Sequence, residues 1–191
     1  MTDSELDLVS RLAILIEEDA ARMDCLRAVQ VLPGAEAAIG AGFVRNAVWD
    51  HLSGVTTPLA DVDVVWFDRA GLPERDRVLE GHLRSVLPAI PWSVKNQARM
   101  HERNGDRPYH DLGDALWHWP ETATAVAVRL DVAGDVQVLA PHGLHDLFDR
   151  RVRPTPHMAS RADRRAAYAG RCLSKRWEQR WPGVTVEHAT L

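Results

Sequence analysis

Residues 37–68 restrict the possible folds of this chain more than any other part of its 191 residues. A short apolar run, which predicts a strand over residues 35–39, enters a small-residue turn at residues 40–42. Apolar side chains at helical spacing then predict a helix over residues 43–52, and a glycine and a polar loop end it. The next run, residues 61–67, is β-branched and aromatic and predicts a second strand.

The segments on either side extend this order to β-α-β-α-β. Helical spacing predicts helices over residues 4–17, 19–31 and 73–87, and residues 92–98 form a third predicted strand. Short crossovers between strands favour an α/β sheet. The rest of the chain predicts a short helix at 111–119, a hairpin of strands 122–131 and 135–140, a short helix at 143–149 and a basic helix at 161–180.

These elements predict an α/β (α+β) fold in a single domain over residues 1–191. We expect a helical lead-in over residues 1–34, a βαβαβ core over residues 35–100, and added strands with a C-terminal helix over residues 101–191.

Composition excludes several classes of protein. The net charge of −4 gives no reason to expect a nucleic-acid-binding protein on charge alone. Only two cysteines occur, Cys25 and Cys172, and they predict free thiols in a reducing compartment. No apolar run approaches 18 residues, and the N-terminus is acidic where a signal peptide would be basic. We therefore expect a cytoplasmic protein with no membrane partner.

Two acids lie one residue apart on the second predicted strand. Side chains alternate along a strand, so Asp61 and Asp63 share one face. Carboxylates placed in this way suit Mg²⁺ (or Mn²⁺), which prefers oxygen ligands and keeps waters and substrate phosphates. The pair predicts a metal site at this strand.

The turn before the helix predicts a phosphate site. Small residues let the backbone approach phosphate oxygens, and a helix N-terminus offers free N–H groups. Arg45, one turn into the helix, would be a bidentate phosphate clamp. Phosphate and metal sites on adjacent elements are the requirements of nucleotidyl transfer.

The motifs at these positions resemble a known superfamily. Residues 41–46 followed by Asp61-Val62-Asp63 are similar to the signature Gly-Gly-x-Val-Arg-Asp then Asp-x-Asp of the nucleotidyltransferase superfamily, which includes polymerase β and the tRNA CCA-adding enzymes. Ala41 stands for the first Gly and Asn46 for the Asp. The resemblance is closer to a family of small bacterial nucleotidyltransferase-like proteins of unassigned activity, through AGFVRNAVWDHLSG, DVDVVWFD, WSVKNQARMH, WPETATAVAVRL, APHGLHDLF and RPTP, within residues 35–160.

This resemblance implies a fold and an activity. The fold is a core of mixed β-sheet with N-terminal helices, an added hairpin and a C-terminal helix. The activity is Mg²⁺-dependent transfer of a nucleoside monophosphate from an NTP to an unidentified hydroxyl acceptor, either RNA or a small molecule. The expected nucleotide-binding residues are Gly40, Ala41, Gly42, Arg45, Asn46 and Lys95, and the expected catalytic residues are the metal-binding Asp61 and Asp63 with Asp131 as a third acid.

Two alternatives stay open. Many members of the superfamily carry a third carboxylate on the next strand, where this sequence has Lys95 and Asn96, so a catalytically degenerate nucleotide-binding or regulatory module is a second hypothesis. The spacing of His142 and His145 allows a third, a metal-dependent hydrolase.

Three further groups have both a structural and a functional interpretation. Alternation along the third strand would place Lys95, Gln97, Arg99 and His101 on one face, lining a cleft or buried. Trp117 and Trp119 would stack a base or pack a loop. The cationic helix would be solvated or would face RNA or phosphate, through Arg161, Arg164, Arg165, Arg171, Lys175, Arg176 and Arg180.

Overall fold

The computed structural model describes residues 4–34 and 36–188. Its first half contains α1 (Glu5–Glu17), α2 (Ala20–Gln30), β1 (Ala37–Gly40), α3 (Gly42–Ser53), β2 (Val62–Trp66), α4 (Pro73–Val86) and β3 (Trp92–Asn96). Its second half contains α5 (Met100–Asn104), α6 (Leu112–Trp117), β4 (Ala127–Leu130), β5 (Val136–Leu139), α7 (His145–Phe148), β6 (Arg151–Val152), α8 (Pro156–Ala159), α9 (Ala162–Lys175), α10 (Trp177–Arg180) and β7 (Thr185–Val186).

The five longer strands form one mixed sheet in the order β3-β2-β1-β4-β5. β2 and β3 are parallel, whereas β1 is antiparallel to both β2 and β4, and β4 is antiparallel to β5. The register sets Asp63 between Gly40 on one side and Ser93 on the other. The mixed sheet, the lead-in helices and the hairpin confirm the predicted fold class.

The two faces of the sheet have different roles. Val62 and Val64 are fully buried in the main core, which also contains Leu12 of α1 and Val44 of α3. Because side chains alternate, Asp63 lies on the opposite face. That face has a smaller apolar cluster of Ala38, Val65, Leu112, Leu116 and Ala127, so it is only partly covered.

The third strand ends earlier than predicted. The side chain of Asn96 accepts a hydrogen bond from the amide of Ala98 (3.0 Å) and caps a 3₁₀ helix over Gln97–Arg99. The alternation of residues 92–98 therefore stops at Asn96. Arg99 pairs with Asp76 on α4 instead of sharing a face with Lys95, which corrects that expectation.

Two other predicted elements differ in length. The predicted strand 122–131 is reduced to Ala127–Leu130, because the carbonyl of Glu121 accepts the amides of Thr124 and Ala125 and forms a turn. The predicted helix 161–180 is divided into α9 and α10 at Arg176, which has a φ of 48°.

The other predicted helices and strands lie close to the positions that their patterns indicated, whereas α5, β6, α8 and β7 were not predicted. Gly54 ends α3 in the left-handed conformation with a φ of 62°. Ala35, the first residue of the predicted first strand, lies outside the described residues. None of the described helices is long and apolar enough to cross a membrane.

Candidate active site

The turn between β1 and α3 brings the backbone close to the acidic pair. A Cβ on Gly40 would lie 3.0 Å from Cη2 of Trp119 and 3.1 Å from the carbonyl oxygen of Val126, so a larger residue would require these neighbours to shift. Ala41 has φ 54° and ψ −124°, and its amide donates to the carbonyl of Val126 (3.1 Å). No side chain caps the amides of the first turn of α3. Those N–H groups are available to an anion.

The acidic pair lies beside this turn. Asp61 is exposed just before β2, and Asp63 is partly buried within it, opposite Gly40. Burial and the charge of Asp61 raise the pKa of Asp63, while a hydrogen bond from Ser93 and the nearby cations lower it. A carboxylate held near a second carboxylate in this way is stabilised by a bound cation. No group of three or more His, Cys, Asp or Glu suited to a metal occurs among the described residues, so further ligands would come from phosphate and water.

A cleft of about 380 Å³ opens on this face of the sheet. One end is lined by Ala41, Asp63, Lys95, Gln97, Thr124 and Arg171, and the other by Met100, Arg103 and Asn104. Lys95 is exposed in the cleft, and it pairs with Val65 of the neighbouring strand β2. Larger or similar cavities occur elsewhere, but this is the one that contains Asp63.

Arg45 does not line this cleft. It is 8% exposed, and its guanidinium donates to Thr124 Oγ1 (3.0 Å) and Asn46 Oδ1 (2.9 Å). It also lies 5.3 Å from the ring of Trp49 and 5.4 Å from that of Trp177. Burial lowers its pKa to about 10. The predicted phosphate clamp is therefore an interior cation in this structure, and Asn46 is its hydrogen-bond partner.

Asp131 is not brought to the acidic pair. Gly40 pairs with Ala127 at one end of β4, and Asp131 follows Leu130 at the other end. Its Oδ1 accepts the amides of Ala133 (2.8 Å) and Asp135 (3.0 Å), so it stabilises the hairpin turn. The structure therefore does not bring Asp131 together with Asp61 and Asp63, because the antiparallel strand β4 ends at the opposite edge of the sheet.

The two histidines of the hydrolase hypothesis have separate partners. A ring nitrogen of His142 lies 2.9 Å from the carbonyl of Trp117, and His145 lies 3.0 Å from Glu5. Neither histidine belongs to a group of three or more possible metal ligands among the described residues.

The C-terminal helix, predicted to be either solvated or facing RNA or phosphate, contributes two cations near this site that were not among the predicted site residues. Arg171 of α9 lines the cleft, and both Arg171 and Lys175 lower the pKa of Asp63. These cations are four residues apart and so share a helix face, which is the signal that could have identified them. Of the two tryptophans, Trp119 lines the cleft and donates to Gln97 (3.3 Å), whereas Trp117 packs against His142.

Comparison with known proteins agrees with this geometry. A family model described as nucleotidyltransferase matches residues 27–186. A search of curated proteins returned no match. A solved structure described as an NMR structure that reveals a CCA-adding enzyme head domain is 31% identical, with a TM-score of 0.85, and the match covers 94% of this chain and 95% of that chain.

Two larger enzymes share the fold at lower identity. The Thermotoga maritima CCA-adding enzyme complexed with tRNA has a TM-score of 0.58 at 17% identity, and a CCA-adding enzyme with CTP has 0.61 at 17%. Each match covers 94% of this chain but only 42% or 43% of the enzyme, so this chain spans less than half of their length. The family match over residues 27–186 and the likeness to the head-domain structure together establish that the chain belongs to a nucleotidyltransferase family.

Proposed function

We propose that this chain transfers a nucleoside monophosphate from an NTP to a hydroxyl acceptor in a reaction that depends on Mg²⁺ or Mn²⁺. The observation that carries the proposal is the register of β1 and β2, in which Asp63 lies opposite Gly40 and so beside the uncapped amides that follow it. A metal site and a phosphate site then share one cleft.

Each residue has a distinct role in this proposal. Asp61 and Asp63 hold the divalent cation, which when bound would neutralise charge that develops on the transferred phosphoryl group. The backbone of Ala41 and Gly42 approaches the phosphates, and Lys95 supplies an exposed positive charge. Binding and orientation by these groups account for most of the catalysis expected of a phosphoryl transferase.

The acceptor is a hydroxyl group of RNA or of a small molecule. The tRNA and CTP complexes concern CCA-adding enzymes more than twice the length of the matched part of this chain, and they support RNA as one class to test. Among the described residues that line the cleft, Asp63 is the one carboxylate, and no acid beyond Asp61 and Asp63 is available as a general base. The acceptor proton would therefore leave to solvent or to a group of the acceptor itself.

The test is label transfer. The full chain is incubated with each α-³²P-labelled NTP, Mg²⁺, and either total RNA or a small-molecule extract, and labelled products are separated by size. We expect a labelled product with wild type, none after EDTA treatment, and recovery when excess Mg²⁺ is restored. Asp61→Asn and Asp63→Asn should abolish labelling, because each removes a charged metal ligand without changing its size.

Asp131→Asn is the matched control, since it makes the same chemical change at the opposite edge of the sheet and keeps the Oδ1 acceptor. Full labelling by Asp61→Asn and Asp63→Asn would refute the metal assignment.

A degenerate nucleotide-binding module is the second candidate. Among the described residues that line the cleft, Asp63 is the only carboxylate, which favours this candidate over a fully equipped enzyme. It predicts NTP binding by calorimetry with no labelled product from any acceptor fraction. Turnover with wild type would exclude it.

A further inference from the structure

The wall of the cleft contributed by α9 contains an arginine with an unusual environment. The Nε of Arg171 donates to Oε1 of Glu121, a carboxylate whose side chain is 0% exposed, while the Arg171 side chain is 33% exposed. Its guanidinium carbon lies 6.0 Å from the ring of Trp177. The arginine is thus anchored on its inner side and open on the cleft side.

The outer nitrogens of this guanidinium are free. Within residues 4–34 and 36–188, Nη1 and Nη2 of Arg171 make no hydrogen bond to protein. Arg171 lines the cleft, and these two nitrogens carry four N–H donors in a planar fork. This fork matches two oxygens of a phosphate group.

The acid that anchors Arg171 is held rigidly. The backbone carbonyl of Glu121 accepts the amides of Thr124 (3.0 Å) and Ala125 (2.9 Å), and Glu121 bridges to Pro154. In the same segment, Thr124 accepts a hydrogen bond from the guanidinium of Arg45, and the carbonyl of Val126 accepts one from the amide of Ala41. Glu121 therefore fixes Arg171 relative to the turn that approaches the phosphates.

The charges near this acid do not balance. Glu121 stabilises the charged form of Arg45, and Arg171 opposes it, so two guanidinium groups lie near one buried carboxylate. Oε2 of Glu121 is buried without a hydrogen-bond partner. An anion bound beside Arg171 would be attracted by both guanidinium groups.

We propose that Arg171 binds the β- and γ-phosphates of the NTP through its free fork, and that Glu121 is the residue that positions it. The inference rests on the proposed function. It gives α9 a specific part in the site and assigns the phosphate clamp to Arg171 in place of Arg45. A nucleoside monophosphate lacks the β- and γ-phosphates and therefore does not make this contact.

The test compares the affinities of triphosphate and monophosphate. Isothermal titration with ATP, CTP, GTP and UTP, each against its monophosphate, is carried out with Mg²⁺ on the full chain. Arg171→Gln and Arg171→Lys should weaken NTP binding by about tenfold or more, because both lose the bidentate fork, and should leave NMP binding within about twofold. Glu121→Gln should weaken NTP binding by about threefold to tenfold, because a neutral amide anchors the guanidinium less strongly.

Arg176→Gln is the matched control, since it removes the same charge from the end of α9 at a residue outside the cleft. Arg171→Gln leaves Glu121 buried without its partner, which can destabilise the fold. The double variant Glu121→Gln/Arg171→Gln removes both charges of this ion pair and should show the same selective loss of NTP affinity.

The outcomes separate this inference from the proposed function. If wild type binds NTP and the Arg171 variants bind it equally well, or if they lose NTP and NMP affinity to the same extent, the inference is overturned alone. If wild type binds no NTP, both are overturned. Selective loss of NTP affinity without any label transfer by wild type supports the inference and removes the transferase.

Discussion

Replacing Arg45 by methionine separates a structural arginine from a phosphate ligand. Methionine has a similar length and keeps most of the apolar contact with the surrounding tryptophans. It loses the two hydrogen bonds to Thr124 and Asn46 and the positive charge near Glu121. Because Arg45 is buried and does not line the cleft, we expect the variant to be less stable but still to bind nucleotide.

The expected loss of stability follows from opposing contributions. Hydrogen bonds to a charged group are worth about 1.5–3 kcal/mol each, and the aromatic rings around the guanidinium add about 1 kcal/mol. Against this, burial lowers the pKa of Arg45 from 12.5 to about 10, which corresponds to a cost of about 3 kcal/mol for keeping the charge inside. The net effect of Arg45→Met is a free energy of unfolding lower by about 3 kcal/mol.

The assay measures stability and binding on the same samples. A loss of about 3 kcal/mol should lower Tm by roughly 6–12 °C for a chain of this size, measured by circular dichroism. NTP affinity at 15 °C, where the variant is folded, should stay within about threefold of wild type, since no phosphate contact is lost. A Tm within about 2 °C of wild type together with a tenfold loss of NTP affinity would refute the interior placement and restore Arg45 as the clamp.

Two further predictions concern the turn and the acid beside it. Folding raises the pKa of Asp63, so the ionised carboxylate lowers the free energy of unfolding once the pH has risen through the folded-state pKa. Asp63→Asn should therefore raise Tm at pH 7 in metal-free buffer and have little effect on Tm near pH 3. Thermal unfolding at both pH values checks this, and a lower Tm for the variant at pH 7 would contradict it. Ala41→Gly should stabilise the chain by about 1 kcal/mol, because a φ of 54° with ψ of −124° strains alanine by more than glycine loses in chain entropy. Urea unfolding measures the difference, and a lower midpoint for the glycine variant would show that the turn differs from the one described.

Much of the fold could be predicted because the signals were local. The period of apolar residues located α1, α3, α4 and β2, and the left-handed Gly54 ended α3 as expected. The shared face of Asp61 and Asp63 also followed from local geometry, since alternation along a strand needs no knowledge of its neighbours. Errors occurred where a side chain ended an element, as Asn96 did for β3.

Local sequence patterns were sufficient to predict the core elements, the turn followed by the acidic pair, and the resemblance to nucleotidyltransferases. Which cation reaches the cleft depends instead on tertiary contacts. Arg45 is buried by a hydrogen bond to Thr124, 79 residues away, and Arg171 is held at the cleft by Glu121, 50 residues away. Likewise, Asp131 lies at the edge of the sheet opposite the acidic pair because β4 is antiparallel to β1. Residue type and spacing carry no information about such distant partners, and burial and long-range pairing decide whether an arginine binds the protein or its substrate.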